Sequence, residues 1–280
     1  CNAVLRKIAS CSDKLPEPPG KGTAQYLSVK YSHPQQLAQY IVDRRGYDAA
    51  EAFLAADNSI PDTCLQVNTL KITPDELMLR LSSDGVPCSM HPWLPDCIVT
   101  AGSVSSMPGF DEGLFYVQDP AAKCAVLAAA LEPGMNVLDS CAAPGGKSFA
   151  AAIVMQNEGS IDSCDLHDKK IRLINEGARR LGLSCINAFS HDARASYDRQ
   201  YDAIIADVPC SGYGVIRKKP EIRYKPLEES TSMPAIQAAI LENLSQYVKL
   251  YAPKRRNRRR RIYDILAGYP RYRRIFCQQA

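Results

Sequence analysis

Asp139-Ser-Cys-Ala-Ala-Pro-Gly-Gly-Lys-Ser148 follows a short apolar strand predicted at Asn136–Asp139 and runs into a helix predicted at Lys147–Gln156. Two glycines ahead of a helix let the backbone approach a ligand closely and turn free N–H groups toward it. A phosphate-binding P-loop requires Gly-x4-Gly-Lys-Ser/Thr. Gly146-Lys147-Ser148 fits its end, but position 141 is Cys where Gly is required. A dinucleotide loop requires Gly-x-Gly-x-x-Gly, which is absent here. What remains is a nucleoside cofactor held by backbone contacts without phosphates.

Outward from this loop, helices and apolar strands alternate. A helix is predicted over Pro120–Leu131, broken by Pro133-Gly134; strands at Ser160–Asp165, Ser184–Phe189 and Tyr201–Asp207 flank a helix at Lys169–Leu181. That alternation is the pattern of an α/β, doubly wound parallel sheet, whose ligands bind at the carboxyl ends of the strands. Those ends carry Asp139, Asp165, His191-Asp192 and Asp207-Val-Pro-Cys210. An acid at position 165 is placed to accept hydrogen bonds from both hydroxyls of a ribose. Any one of the four acids reads equally well as a helix cap or turn residue. Four together, beside a glycine-rich loop, favour a nucleoside pocket.

Upstream, the chain changes character. Val4, Leu5 and Ile8 give a short helical signal, and Pro16-Glu-Pro-Pro-Gly-Lys-Gly22 reads as a linker. Helical spacing returns over His33–Ala56; Cys64–Ile72 alternates as a strand, Pro74–Ser83 reads as a helix, and β-like pieces follow at Cys97–Thr100 and Leu114–Gln118. The expected domains are therefore 1–30 (the end of a preceding domain and its linker), 31–118 (a small α+β subdomain), 119–249 (the larger α/β domain) and 250–280 (an aberrant basic tail).

Composition narrows the class. With 46% hydrophobic and 23% charged residues, global disorder is excluded. The longest apolar stretches, around Ala121–Leu131 and Ser148–Met155, fall short of the about 20 residues a bilayer span needs. Residue 1 is Cys, so the native start is expected upstream. Eleven cysteines at irregular spacing, with no Cys-x-x-Cys and no histidine at zinc-ligand spacing, argue for a reducing cytoplasm and against a metal site. The net charge of +4 conceals an asymmetry: residues 249–280 hold 11 basic residues and one acid, leaving the rest of the chain acidic.

The motifs carry a resemblance. Asp139–Ser148 and Asp207-Val-Pro-Cys-Ser211 resemble motifs I and IV of the Sun-type (RsmB-like) RNA cytosine-C5 methyltransferases. Leu114-Phe-Tyr-Val-Gln-Asp119, Gln66-Val-Asn68, Gly214-Val-Ile-Arg-Lys-Lys-Pro220 and Gln237–Lys249 fit the same family, and Asn2-Ala-Val-Leu-Arg-Lys7 is similar to the end of its NusB-like domain. The resemblance implies a Rossmann-like class I sheet preceded by a small RNA-binding subdomain, with ribosomal RNA as partner. It implies S-adenosylmethionine as cofactor, wrapped by Cys141, Ala142, Ala143, Pro144, Gly145, Gly146 and Lys147. Asp165 would hold its ribose, with Lys170 nearby; Asp192 would sit by the adenine, and Asp207 near the methionine end and the cytosine. Cys210 matches the cysteine that assists product release, so the implied catalytic pair is Cys210 and Asp207.

The family's attacking cysteine lies elsewhere, in a Thr-Cys motif ending a fifth strand introduced by Pro-Gly-Gly. Here Leu250-Tyr-Ala-Pro-Lys-Arg-Arg-Asn-Arg-Arg-Arg-Arg261 offers no Pro-Gly-Gly, no apolar strand and no Thr-Cys. Arginines in a run do not build a buried strand, because desolvating each unpaired charge costs several kcal/mol. Cys277, in Arg-Arg-Ile-Phe-Cys-Gln-Gln-Ala280, matches nothing in the motif. The expectation is a reaction defective for want of its nucleophile, with residues 250 onward out of frame or altered by a local deletion. The alternative is a non-catalytic module that binds cofactor and RNA.

Overall fold

The computed structural model describes residues 2–11, 16–101, 104–227, 232–249 and 275–277. By packing, the chain forms two compact units. One takes the described residues up to Pro61 together with those between Ser211 and Thr231; the other takes Asp62–Cys210 and those from Ser232 onward.

The first unit is helical: α1 (Asn2–Ala9), α2 (Ala24–Lys30), α3 (Gln35–Arg45) and α4 (Tyr47–Asp57). The linker prediction gave no sign of α2, which Thr23 opens by accepting the Tyr26 N–H on its side chain. Leu27, Leu37, Ala38 and Leu54 close a core with Ile216 and Ile222, which arrive from far along the chain. Arg223, buried in the same unit, donates to Ser32 O (2.9 Å) and Asn58 Oδ1 (3.1 Å). Arg217 donates to Ile60 O at 2.6 Å.

The second unit begins with β1 (Thr63–Val67), α5 (Pro74–Ser83), β2 (Cys88–Met90), β3 (Cys97–Thr100) and β4 (Phe115–Val117), an antiparallel sheet in the order β2-β3-β1-β4. Helix α5 starts at Thr73, whose side chain and that of Glu76 cap each other's backbone N–H groups. Strand β2 went unpredicted: three residues of mixed polarity carry no periodic signal.

The alternating segment follows: α6 (Pro120–Ala128), β5 (Asn136–Asp139), α7 (Gly146–Val154), β6 (Ser160–Asp165), α8 (Asp168–Leu181), β7 (Ile186–Ser190), β8 (Ala203–Ala206), α9 (Met233–Leu244) and β9 (Ile275–Cys277). The five strands are parallel, in the order β7-β6-β5-β8-β9. Strand order reverses at β5, so the carboxyl end of β5 lies at the switch point where such sheets bind ligands. Val137, Ile161 and Ile205 face one core with residues of α6, α7 and α8, while Leu138 and Ile204 face another with Ile240 and Leu244 of α9. This is the expected Rossmann-like α/β architecture.

One expectation needs correction. The sequence offers no apolar strand over 250–261 and gives Cys277 no place in the motif, so the fifth strand is expected to be lost, yet Ile275–Cys277 pairs with β8 in the register Ile204↔Ile275, Ile205↔Phe276 and Ala206↔Cys277. An edge strand presents unpaired N–H and C=O groups that any extended segment can satisfy through its backbone. Three residues with good strand propensity suffice, whatever motif surrounds them. The arginine run and the helix-like Ile262–Tyr269 lie outside the described residues.

Packing also divides the chain at places other than 30/31 and 118/119. The antiparallel and parallel sheets share one unit, and buried polar contacts join them. Fully buried Lys123 of α6 pairs with Asp96 at 2.6 Å, and Asn68 donates to both Gly113 O (3.0 Å) and Leu181 O (2.9 Å). The Arg180 guanidinium lies 4.0 Å from the Phe110 ring centroid and donates to Phe115 O at 3.0 Å.

Candidate cofactor site

The loop from Ser140 to Gly145 is stitched to the strands on both sides of β5. Ser140 N–H donates to Ile205 O of β8 (3.0 Å), and Ala142 N–H to Cys164 O of β6 (2.7 Å). Gly145, at φ 110°, turns the chain into α7; a Cβ there would come within 2.5 Å of the Phe149 ring. Only glycine takes that conformation beside that ring. Thus Ala142, Ala143, Pro144, Gly145 and Gly146 form a fixed backbone surface at the switch point.

Beneath it lies a buried relay that sequence reasoning missed. Asp139 is fully buried; Ser148 Oγ donates to its Oδ2 (2.7 Å), and Ser163 Oγ donates to Ser148 Oγ (2.8 Å). Asp139 Oδ1 has no hydrogen-bond partner among the described residues. Burial pushes this carboxyl up to about 7, the Ser148 bond offsetting only part of the effect.

The other predicted residues form pairs. Asp165, 7% exposed, accepts the His167 N–H at 3.2 Å and lies 3.4 Å from Lys170 Nζ. Asp192 is engaged by Arg194, whose Nε and Nη2 donate at 3.0 and 2.7 Å. Hydrogen bonds from the Arg194 side chain and backbone hold that carboxyl down to about 2. No periodicity announces Arg194; only the turn after β7 brings it back onto Asp192.

Lys147 and Asp207 meet across the site, Nζ to Oδ2 at 2.6 Å. The pair joins the Gly-Gly-Lys loop to the Asp-Val-Pro-Cys loop, although 60 residues separate the two. Beyond Asp207, Pro209 O accepts from Gln237 Nε2 of α9 (2.8 Å), which anchors the stretch leading to half-buried Cys210. Cys141, also half-buried, has its thiol pushed up to about 12 by burial and by the surrounding acids, so it stays protonated at neutral pH.

Residues 126–252 match the model of the family described as 16S rRNA methyltransferase RsmB/F, and residues 33–106 match that of the RsmF/B-like ferredoxin-like domain. The chain is 35% identical over 260 residues to the probable ribosomal RNA small subunit methyltransferase B of Bacillus subtilis.

The chain belongs to the RsmB/F methyltransferase family.

The Bacillus alignment covers 89% of this chain and 57% of that relative. The corresponding methyltransferase B of Pseudomonas syringae is 31% identical, with 87% and 60% covered. The RsmB/F chain described here therefore spans less than two thirds of the curated relatives it matches. A methyltransferase homologue from Pyrococcus horikoshii superposes with a TM-score of 0.69 at 25% identity, over 80% of this chain and 72% of its own.

RsmB/F proteins are S-adenosylmethionine-dependent, and the residues present fit that cofactor. No phosphate-binding Gly stands at 141, the loop is fixed between β6 and β8, and buried Asp165 ends the neighbouring strand β6. No group of three or more potential metal ligands occurs among the described residues, and none of the described helices is long and apolar enough to cross a membrane.

Proposed function

We propose that this chain carries the cofactor- and base-binding part of an enzyme that methylates C5 of a cytosine in 16S ribosomal RNA, and that as it stands it binds without transferring. The observation that carries the reading is the 2.6 Å contact between Lys147 and Asp207, which brings the two family motifs to one place.

Cytosine C5 is a weak nucleophile until a thiolate adds to C6 and makes the ring enamine-like. S-adenosylmethionine, when bound, supplies the electrophilic methyl group. The backbone from Cys141 to Gly146 and the Asp165 carboxylate would orient the nucleoside end. Asp207 accepts hydrogen bonds, so it can take one from the cytosine amino group or from a protonated N3, where charge changes during the addition. Lys147 fixes the Asp207 carboxylate in place. A base enters such a site only unstacked or single-stranded, which directs the reading to an accessible cytosine.

The attacking thiolate is what the chain lacks. Cys141 is held protonated, Cys210 matches the cysteine that serves release of product, and no Thr-Cys motif follows Lys249. Cofactor binding measured beside tritiated methyl transfer to 16S RNA tests the reading. Binding in the micromolar range without incorporation is expected. Incorporation at C5 overturns the defect, and the Cys277→Ser variant would then show whether the cysteine ending β9 serves as nucleophile. Failure to bind the cofactor overturns the assignment of the site.

A further inference from the structure

Gln118 belongs to Leu114-Phe-Tyr-Val-Gln-Asp119, which falls between the two segments matched by the family models. It is 8% exposed, and its polar groups are held from several sides. Its N–H donates to Cys64 O (3.2 Å), its carbonyl accepts from Gln66 Nε2 (3.1 Å), and its Oε1 accepts from the Tyr116 hydroxyl (3.3 Å). One group is left over. Among the described residues Nε2 donates to nothing, and unlike Gln66 Oε1 it is not sealed from solvent.

That amide lies on the cofactor loop. A Cβ built on Gly146 would be 3.2 Å from Gln118 Nε2, so the glutamine occupies the space a side chain at 146 would need. Gly146 opens the nine-residue helix α7, whose first-turn N–H groups have no intrahelical acceptor. Two independent sets of N–H donors thus converge where the chain turns toward Lys147 and Asp207. Asp165 ends β6 and Asp192 follows β7, the acids suited to a ribose and a base, whereas Asp207, which Lys147 contacts, follows β8 on the other side of β5. Donors at a helix N-terminus favour an anion. In S-adenosylmethionine the one anionic group is the carboxylate of the methionine moiety.

We propose that Gln118 Nε2 donates a hydrogen bond to that carboxylate, which makes Gln118 a cofactor-binding residue contributed from the edge of the antiparallel sheet. The proposal rests on the cofactor reading given above. An amide N–H without a protein partner gains most when a charged acceptor completes it.

Calorimetric titration of the full chain with S-adenosylmethionine and with 5′-methylthioadenosine tests it. The second ligand keeps the nucleoside and the sulfur but has no carboxylate. Gln118→Leu is expected to weaken S-adenosylmethionine about tenfold, the loss of one hydrogen bond to a charged group, and to leave methylthioadenosine unchanged. Gln118→Glu, an isosteric change that keeps an acceptor for Tyr116, is expected to weaken S-adenosylmethionine further while sparing methylthioadenosine. It serves if the leucine variant misfolds. Equal losses for both ligands, or no loss for either, overturn the proposal and leave the site standing. A wild-type chain that binds neither ligand overturns the cofactor reading itself.

Discussion

Burial raises the Asp139 carboxyl from 3.8 to about 7, so the acid form is favoured in the folded protein. The stability it contributes is therefore complete below about pH 4 and is lost as pH rises through about 7. Thermal melts at pH 5 and pH 8 should show a fall in the wild type that Asp139→Asn, which cannot ionise, reduces. A fall of equal size in both proteins would show that another group is responsible. The place of Asp139 at the end of the first strand is legible from the chain, but its burial and its bonds to Ser148 and Ser163 needed coordinates. Lys147 behaves alike: Gly-Gly-Lys foretold a loop, while its partner Asp207 emerged only once β5 and β8 lay side by side.

Among the elements, α8 and β4 depend on an approach that only glycine permits. A Cβ on Gly113, which has φ 69°, would lie 1.9 Å from Arg180 O, a backbone atom that no rotamer change can move. Gly113→Ala should therefore cost about 2 kcal/mol or more, read as a lower urea midpoint at unchanged slope. An unchanged midpoint would mean that the loop relaxes freely. The long periodic elements α5, α7 and α8 lie close to where the sequence predicts them, because amphipathic spacing and caps are local signals. Short elements escaped. Strand β2 has three residues, and α2 begins next to a Pro/Gly-rich stretch whose composition argues for a linker.

At the scale of the whole molecule, charge and topology diverge. The acidic residues 1–248 hold the motifs, while 11 of the 34 basic residues crowd into 249–280. If that tail grips RNA phosphates, replacing the six arginines between Arg255 and Arg261 with Gln should flatten the salt dependence of RNA binding. On a single strand, the log–log slope should fall by about 0.7 for each phosphate that is no longer neutralised. Identical slopes in filter-binding titrations would remove the tail from the RNA interface.

The class of the protein is written along the chain. The alternation of strands and helices, the Cys-Ala-Ala-Pro-Gly-Gly-Lys loop and the acids at strand ends are carried by neighbouring residues, so they can be read in order. What pairs across distance belongs to the folded state alone. Folding joins Asn68 to Leu181 and Lys147 to Asp207, sends 211–227 to the unit of the N-terminal helices, and sets Gln118 against Gly146. It also completes the sheet with Ile275–Cys277. Those pairings answer to unpaired backbone edges, buried charges and side-chain volume, quantities that exist only once the chain has folded.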